Sequence, residues 1–122
     1  MAENTAGQTL TNAARDGAMR QAQGKVVFDA TAITATDYVE IDCGFKPTKV
    51  TWENATDRVK GEWYHGMDDN SCIKTAAAGT RTLEVTGGNG GITVTERGFR
   101  VLQNATLGLI LASKTCYWKA EA

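Results

Sequence analysis

The chain has 122 residues and balanced charge, with 13 Lys and Arg against 14 Asp and Glu for a net charge of −1. Apolar residues make up 42%, as in an ordinary globular protein, and the length suits a single domain. The charge excludes the basic footprint of an electrostatic nucleic-acid binder, and no apolar run approaches the ~18 residues of a bilayer-spanning helix. Residues 1–10 lack the apolar region of a secretory signal. We therefore expect neither nucleic acid nor a membrane as a partner.

Residues 1–24 differ from the remainder of the chain, because after Met1 their only large apolar residues are Leu10 and Met19. A helix within residues 10–22 would have a weak apolar face, and Gly17 inside it would cost about 1 kcal/mol relative to alanine. We interpret residues 1–24 as a flexible N-terminal arm that becomes ordered on a partner. Leu10 and Met19 are its candidate interface residues, and the folded domain is expected to span residues 25–122.

From residue 25 onwards, apolar and polar residues alternate in short runs that are separated by Gly, Asn and Asp. A period of two is typical of a half-buried strand, and the frequent threonines suit a pleated surface. The pattern predicts about ten strands, which lie at 25–30, 36–43, 48–53, 58–66, 71–75, 81–86, 92–96, 99–102, 107–111 and 114–119. No convincing helix alternates with them, so we predict an all-β fold: a single-domain antiparallel β-sandwich or a jelly-roll-like barrel.

Three local patterns lead to more specific expectations. The sequence GGNGG at 87–91 predicts a hairpin loop, because glycine adopts positive φ freely. The sequence LGLIL at 107–111 is apolar throughout and predicts a fully buried strand. Gly61, inside the predicted strand 58–66, suggests a β-bulge. In the strand 81–86, Leu83 and Val85 share one face.

The cysteines favour free thiols. Cys43, Cys72 and Cys116 are odd in number, widely spaced and without a C-x-x-C pattern. The single histidine, His65, could complete a zinc site only with ligands that are far apart in the sequence. We therefore expect three free thiols in a reducing compartment, no metal and no cofactor.

No set of titratable residues predicts catalysis. His65 would need a serine nucleophile, and neither Ser71 nor Ser113 lies in a G-x-S-x-G elbow. The acidic pair Asp68 and Asp69 lacks the glycine and the distal glutamate of a calcium loop. We expect no catalytic residue and a protein that is not an enzyme.

The aromatic residues are the best functional candidates. Trp63 and Tyr64 are adjacent, as are Tyr117 and Trp118, so the two members of each pair point to opposite faces of a strand. The apolar neighbours on each strand favour burial of the tryptophans and exposure of the tyrosines. Exposed aromatic rings commonly anchor interfaces or stack on sugars. Tyr64 and Tyr117 are therefore interface candidates, and the alternative is that a loop of the same domain covers them.

Four stretches carry a family resemblance: EWYHGM at 62–67, CIKTAAAGTRT at 72–82, GGITV at 90–94 and ASKTCYW at 112–118. With these, about residues 49–118 resemble the small virion structural proteins of tailed bacteriophages. The resemblance implies a protein that is made in the bacterial host cytoplasm and incorporated into a virion. Small β-rich members without fibre repeats are often head decoration, or cement, proteins, which clamp neighbouring major capsid subunits on the outside of the shell.

The resemblance thus implies a non-enzymatic decoration protein at the capsid surface, with the major capsid protein as its partner. A homo-oligomer is expected, and both a dimer and a trimer fit. The alternative function is a carbohydrate- or receptor-binding β-sandwich module of a phage tail, with exposed Trp63 or Trp118 stacking on sugars. Such a module usually follows a coiled-coil or repetitive stalk, and no heptad run is present in this sequence.

Overall fold

The computed structural model describes residues 20–34 and 36–122, in which all regular secondary structure is β-strand. The strands are β1 (Gln21–Val27), β2 (Tyr38–Asp42), β3 (Lys49–Asn54), β4 (Val59–Tyr64), β5 (Cys72–Thr75), β6 (Arg81–Glu84), β7 (Ile92–Val94), β8 (Gly98–Leu102) and β9 (Thr115–Glu121). They form a six-stranded sheet in the order β1-β9-β3-β4-β5-β6 and a three-stranded sheet in the order β2-β8-β7. All pairings are antiparallel. The predicted all-β fold is confirmed.

One hydrophobic core lies between the two sheets. The strict alternation of β3 turns Val50 and Trp52 inward, where neither has exposed surface. Phe99 on β8 meets Trp52 edge-on, with ring centroids 6.3 Å apart, and also contacts Trp118 at 5.5 Å. Such edge-to-face contacts are the favoured geometry of aromatic pairs. The three rings therefore join the centre of the large sheet to the small sheet.

The apolar run 107–111, which we call the core loop, is buried but is not a strand, contrary to the prediction. Leu107, Leu109 and Ile110 have no exposed surface. Gly108 has φ 76°, which ends any extended conformation at that point. The Asn104 side chain accepts a hydrogen bond from the N–H of Leu107 at 3.2 Å and so holds the preceding turn. The core loop therefore fills the space between the sheets as an irregular segment.

Buried side chains satisfy the polar backbone atoms of the core loop. The Trp52 indole N–H donates to the carbonyl oxygen of Leu109 at 2.9 Å, and the Asn54 amide donates to that of Gly108 at 3.1 Å. An unpaired carbonyl at this depth would cost about 1–3 kcal/mol. These two side chains therefore supply hydrogen bonds that a neighbouring strand would otherwise have to supply.

Gly61 does not form the suggested bulge. It pairs in regular register with Trp52 on one side and Lys74 on the other. A Cβ atom at this position would lie 2.7 Å from Cδ1 of Leu109. The glycine is therefore needed because the core loop packs directly on the strand.

The glycine-rich segment 87–91 is not a hairpin. It follows β6 in the large sheet and precedes β7 in the small sheet, so it carries the chain from one sheet to the other. Gly87 and Gly90 have φ values of 89° and 73°. A Cβ on Gly91 would lie 2.5 Å from the carbonyl carbon of Ser71. The N–H groups of Gly88 and Gly90 both donate to the Val85 carbonyl at 3.1 Å, so the glycines form a turn that connects the two sheets instead of two paired strands.

The predicted end of the arm at residue 24 is wrong, because β1 begins at Gln21 and pairs with β9. Gly24 lies opposite Trp118, and a Cβ on Gly24 would come within 2.7 Å of the indole. Residues 21–24 therefore belong to the sheet. Leu10 and Met19 of the predicted arm lie outside the described residues, and their interface role stays a prediction.

Candidate functional site

The site is built on the outer face of the large sheet, which points away from the small sheet and the core. Alternation along the strands sends every second side chain to this face. We call this surface the outer face; its residues are Gln21, Gln23, Lys25, Val27, Lys49, Thr51, Glu53, Lys60, Glu62, Tyr64, Ile73, Thr75, Arg81, Leu83, Thr115, Tyr117, Lys119 and Glu121.

Both tyrosines predicted as interface residues lie on the outer face. Tyr64 is 38% exposed and Tyr117 is 47% exposed, whereas Trp63 is 5% exposed and Trp118 packs against the core. The predicted orientation of both aromatic pairs is confirmed. Because Trp63 is buried, with its indole N–H donating to the carbonyl of Asp68 at 3.1 Å, its ring has no exposed face on which a sugar could stack.

Each tyrosine has a lysine directly opposite it on the neighbouring strand. Lys49 pairs with Tyr64 across β3 and β4, and its Nζ lies 5.4 Å from the ring centroid. Lys25 pairs with Tyr117 across β1 and β9, with its Nζ 5.9 Å from the ring. An ammonium over a ring contributes about 0.5–1 kcal/mol at exposed sites. The outer face therefore carries the same cross-strand lysine–tyrosine pair twice.

The two pairs stand a fixed distance apart. Lys49 opposes Tyr64 on one side and Glu121 on the other, and Tyr117 lies four residues from Glu121 along β9. A strand spacing of ~4.8 Å and a rise of ~3.4 Å per residue then separate the Cα atoms of Tyr64 and Tyr117 by roughly 16 Å. Because β3 connects them through regular pairing, the two rings form a rigid pair of contact points.

Glu62 holds Tyr64 in place. The Tyr64 hydroxyl donates to Oε2 of Glu62 at 2.8 Å, and Oε1 of Glu62 lies 3.6 Å from Lys60 Nζ and 4.0 Å from the Arg81 guanidinium. Burial acts to raise the pKa of Glu62, but the hydrogen bond from Tyr64 and the charges of Lys60, Lys49 and Arg81 outweigh it and lower the pKa. The same hydrogen bond raises the pKa of Tyr64. The carboxylate therefore stays ionised and keeps the ring in one orientation.

The charge of the outer face has the opposite sign to that of the whole chain. Its carboxylates belong to three glutamates, against five cationic side chains, which are Lys25, Lys49, Lys60, Arg81 and Lys119. The net charge of the chain is −1. The outer face therefore has an excess of two positive charges, which charge counting over the full sequence could not reveal.

The outer face of the small sheet is different in character. The charges on this sheet and in its adjoining loops form one-to-one ion pairs of 3.4–3.5 Å, which are Lys46–Glu96, Arg97–Asp42 and Arg100–Glu40. The Arg100 guanidinium also lies 4.6 Å above the ring of Tyr38, which is 48% exposed. A half-open cleft of about 220 Å³ opens beside this ring, lined also by Asn70, Thr93 and Leu102. The positive and negative charges of these three pairs balance, so these side chains already have partners within the chain.

The residues considered for catalysis do not come together. The Ser71 hydroxyl is buried and donates to the Asp68 carbonyl at 2.6 Å, while His65 is exposed at the end of β4. Within residues 20–34 and 36–122, no three His, Cys, Asp or Glu side chains are arranged to hold a metal ion. The same part of the chain has no helix long and apolar enough to cross a membrane.

The three cysteines are free, and two of them are chemically shielded. Burial raises the pKa of Cys72 to about 12 and that of Cys116 to about 11. Only the thiolate is a good nucleophile or metal ligand. Cys43 is partly exposed and donates weakly to the Phe45 carbonyl at 3.4 Å. The buried thiols therefore act as small apolar core residues.

Sequence analysis missed the two lysines of the site. A lysine in an alternating strand is typical of any solvated face, so Lys25 and Lys49 carry no local signal. Their importance comes from the register, because each is opposite an exposed tyrosine on a different strand. No family model, curated protein or solved structure matches this chain. Function is therefore inferred from the outer face and from the bacteriophage resemblance in the sequence.

Proposed function

We propose that the protein is a non-enzymatic decoration protein of a bacteriophage virion, which binds the outside of the capsid through its outer face and stabilises the head. One observation carries the proposal: Tyr64 and Tyr117 are exposed on a single sheet face that none of the described residues covers, and a lysine lies over each ring. Tyrosine is enriched among residues that dominate binding energy at interfaces. A rigid sheet presents both rings with little conformational entropy to lose on binding.

The bacteriophage resemblance supplies the setting. The resemblance implies that the partner is the major capsid protein. It also implies that the protein is made in the host cytoplasm and is finally located at the capsid surface. A capsid repeats each contact many times, so an interface of modest affinity on one copy is reinforced wherever copies are linked. Both a dimer and a trimer of the protein are compatible with this function.

A tail module that binds carbohydrate is the second candidate, and one feature favours it. A groove of about 270 Å³ is lined by Gln23, Gly24, Tyr117 and Trp118. Because Gly24 has no side chain, the indole of Trp118 reaches this groove. An aromatic ring beside an amide side chain is a suitable surface for sugar recognition.

The test is reconstitution on heads assembled without this protein. Tyr64→Ala and Tyr117→Ala should each weaken binding by about 30-fold, the equivalent of about 2 kcal/mol for an interface anchor. Tyr38→Ala is the matched control, because Tyr38 is equally exposed but lies on the small sheet. Co-sedimentation measures the bound protein, and calorimetry measures the melting temperature of the heads.

Two results would contradict the decoration function. The first is that heads lacking the protein melt at the same temperature as complete heads, and the second is that only Tyr38→Ala reduces binding. A glycan array that detects binding, lost in Trp118→Ala and retained in Tyr64→Ala, would instead favour the tail module.

A further inference from the structure

Lys25 and Lys49 differ from the other cations of the outer face, because neither forms an ion pair within the described residues. Lys60 and Arg81 share the carboxylate of Glu62, and Lys119 lies 3.7 Å from that of Glu121. Lys25 and Lys49 instead lie over the rings of the two exposed tyrosines. No described carboxylate lies within ion-pair distance of either ammonium, although Lys49 and Glu62 attract each other at longer range, so both ammonium groups can pair with a partner's carboxylate.

A partner that covers the tyrosines must also cover these two ammonium groups, since each ammonium lies within 6 Å of a ring. Removing a charge from water is costly unless an opposite charge replaces the water. A neutral or basic partner surface would leave both lysines buried without a counter-charge. A carboxylate opposite each lysine would satisfy the charge and allow the neighbouring ring to be buried.

The charge distribution over the molecule leads to the same partner chemistry. On the small sheet the charges pair one to one, whereas the outer face has an excess of cations although the chain as a whole is negative. A positive patch on a negative protein directs an acidic partner to one side of the molecule. The register separates Lys25 and Lys49 by two strands and four residues, or roughly 16 Å between Cα atoms.

We infer that the outer face binds an acidic protein surface, with one carboxylate-bearing cluster opposite Lys25 and a second opposite Lys49, roughly 16 Å away. This inference rests on the proposed attachment to capsids and specifies the chemistry of the partner. The lysine–tyrosine pair is the unit of recognition: the ring supplies apolar contact area, and the ammonium selects for a carboxylate beside it.

The experiment measures association of the protein with heads assembled without it, as a function of salt and of charge. For the wild-type protein, the association rate should fall at least ~10-fold between low and high salt, because the attraction is screened. Lys25→Glu/Lys49→Glu should bind at least ~10-fold more slowly at low salt, and Lys25→Arg/Lys49→Arg should bind like wild type because it keeps both charges. Lys46→Glu is the control, since Lys46 is an exposed lysine paired with Glu96 away from the outer face.

The possible failures are distinguishable. The partner is not acidic if the association rate of the wild-type protein does not depend on salt and Lys25→Glu/Lys49→Glu associates at the wild-type rate. Attachment through the tyrosines would then still stand. If the wild-type protein does not bind heads at any salt concentration, both the attachment and the acidic partner are wrong. Equal loss of binding in Lys46→Glu would show a response to overall charge and overturn the assignment to these two lysines.

Discussion

The core loop and the segment that contains strand β6 and Val85 both carry large apolar side chains, but these side chains differ greatly in burial. Leu107, Leu109 and Ile110 of the irregular loop have no exposed surface, whereas Leu83 in the regular strand β6 is 65% exposed and Val85 just after it is 45% exposed. The core loop lies between the sheets. Strand β6 is at the edge of the large sheet, and alternation turns Leu83 away from the core. Burial in this fold is thus set by position relative to the two sheets and not by regularity of the backbone.

The largest difference in the free energy of unfolding between the two regions is expected when a leucine in each is replaced by alanine. Leu109→Ala leaves a cavity between the sheets and should lower the free energy of unfolding by about 2–5 kcal/mol. Leu83→Ala, the matched control, removes the same atoms from an exposed position and should change it by less than about 0.5 kcal/mol. Urea unfolding of both variants measures the difference. Equal effects would contradict the burial contrast.

A smaller effect is expected at the contact between the core loop and β4. Gly61→Ala introduces a methyl group 2.7 Å from Cδ1 of Leu109, and this overpacking should cost about 1–3 kcal/mol. In a Leu109→Ala background the clashing atom is absent, so the additional cost should fall below about 0.5 kcal/mol. A double-mutant cycle by urea unfolding measures this coupling. Additive effects of the two substitutions would mean that the loop does not press on β4.

The smallest expected effect is a pH dependence of stability, which arises because water is excluded from the buried thiol of Cys72 beside the core loop. The pKa of Cys72 is about 12 in the folded protein and ordinarily 9.0, so the unfolded chain loses this proton first as the pH rises. The stability that this group contributes is fully present below pH 9 and declines as the pH rises from 9 to 12; at pH 10 the loss is about 1 kcal/mol. The stability difference between wild type and Cys72→Ala should therefore shrink from pH 8 to pH 10. A constant difference would contradict a dry core at this position.

The alternation of apolar and polar residues alone was enough to predict strands such as β3 and the orientation of the two aromatic pairs. In β3, Val50 and Trp52 face the core as their spacing indicates, and the same local pattern separates Trp63 from Tyr64. Successive side chains of a strand point to opposite faces of the sheet, so the local sequence is enough to assign each side chain to a face. The fold class and the two exposed tyrosines of the site were therefore predictable from the sequence.

The errors lie where distant residues decide the local structure. The core loop is not a strand because Trp52 and Asn54, more than fifty residues earlier, satisfy its carbonyl groups. Residues 21–24 carry no large apolar side chain, and their extended conformation comes from pairing with β9. The lysines of the site depend in the same way on register between strands far apart in sequence, which no local pattern encodes.

The place of β9 in the large sheet has a consequence for biosynthesis. Although β9 is the last of the nine strands found in residues 20–34 and 36–122, it lies between β1 and β3 and pairs with both. Until residue 121 has left the ribosome, β1 has no neighbour and β3 has one unpaired side. The large sheet therefore closes only after β9 has been translated, and until then the nascent chain carries unpaired strand edges, which are prone to aggregation.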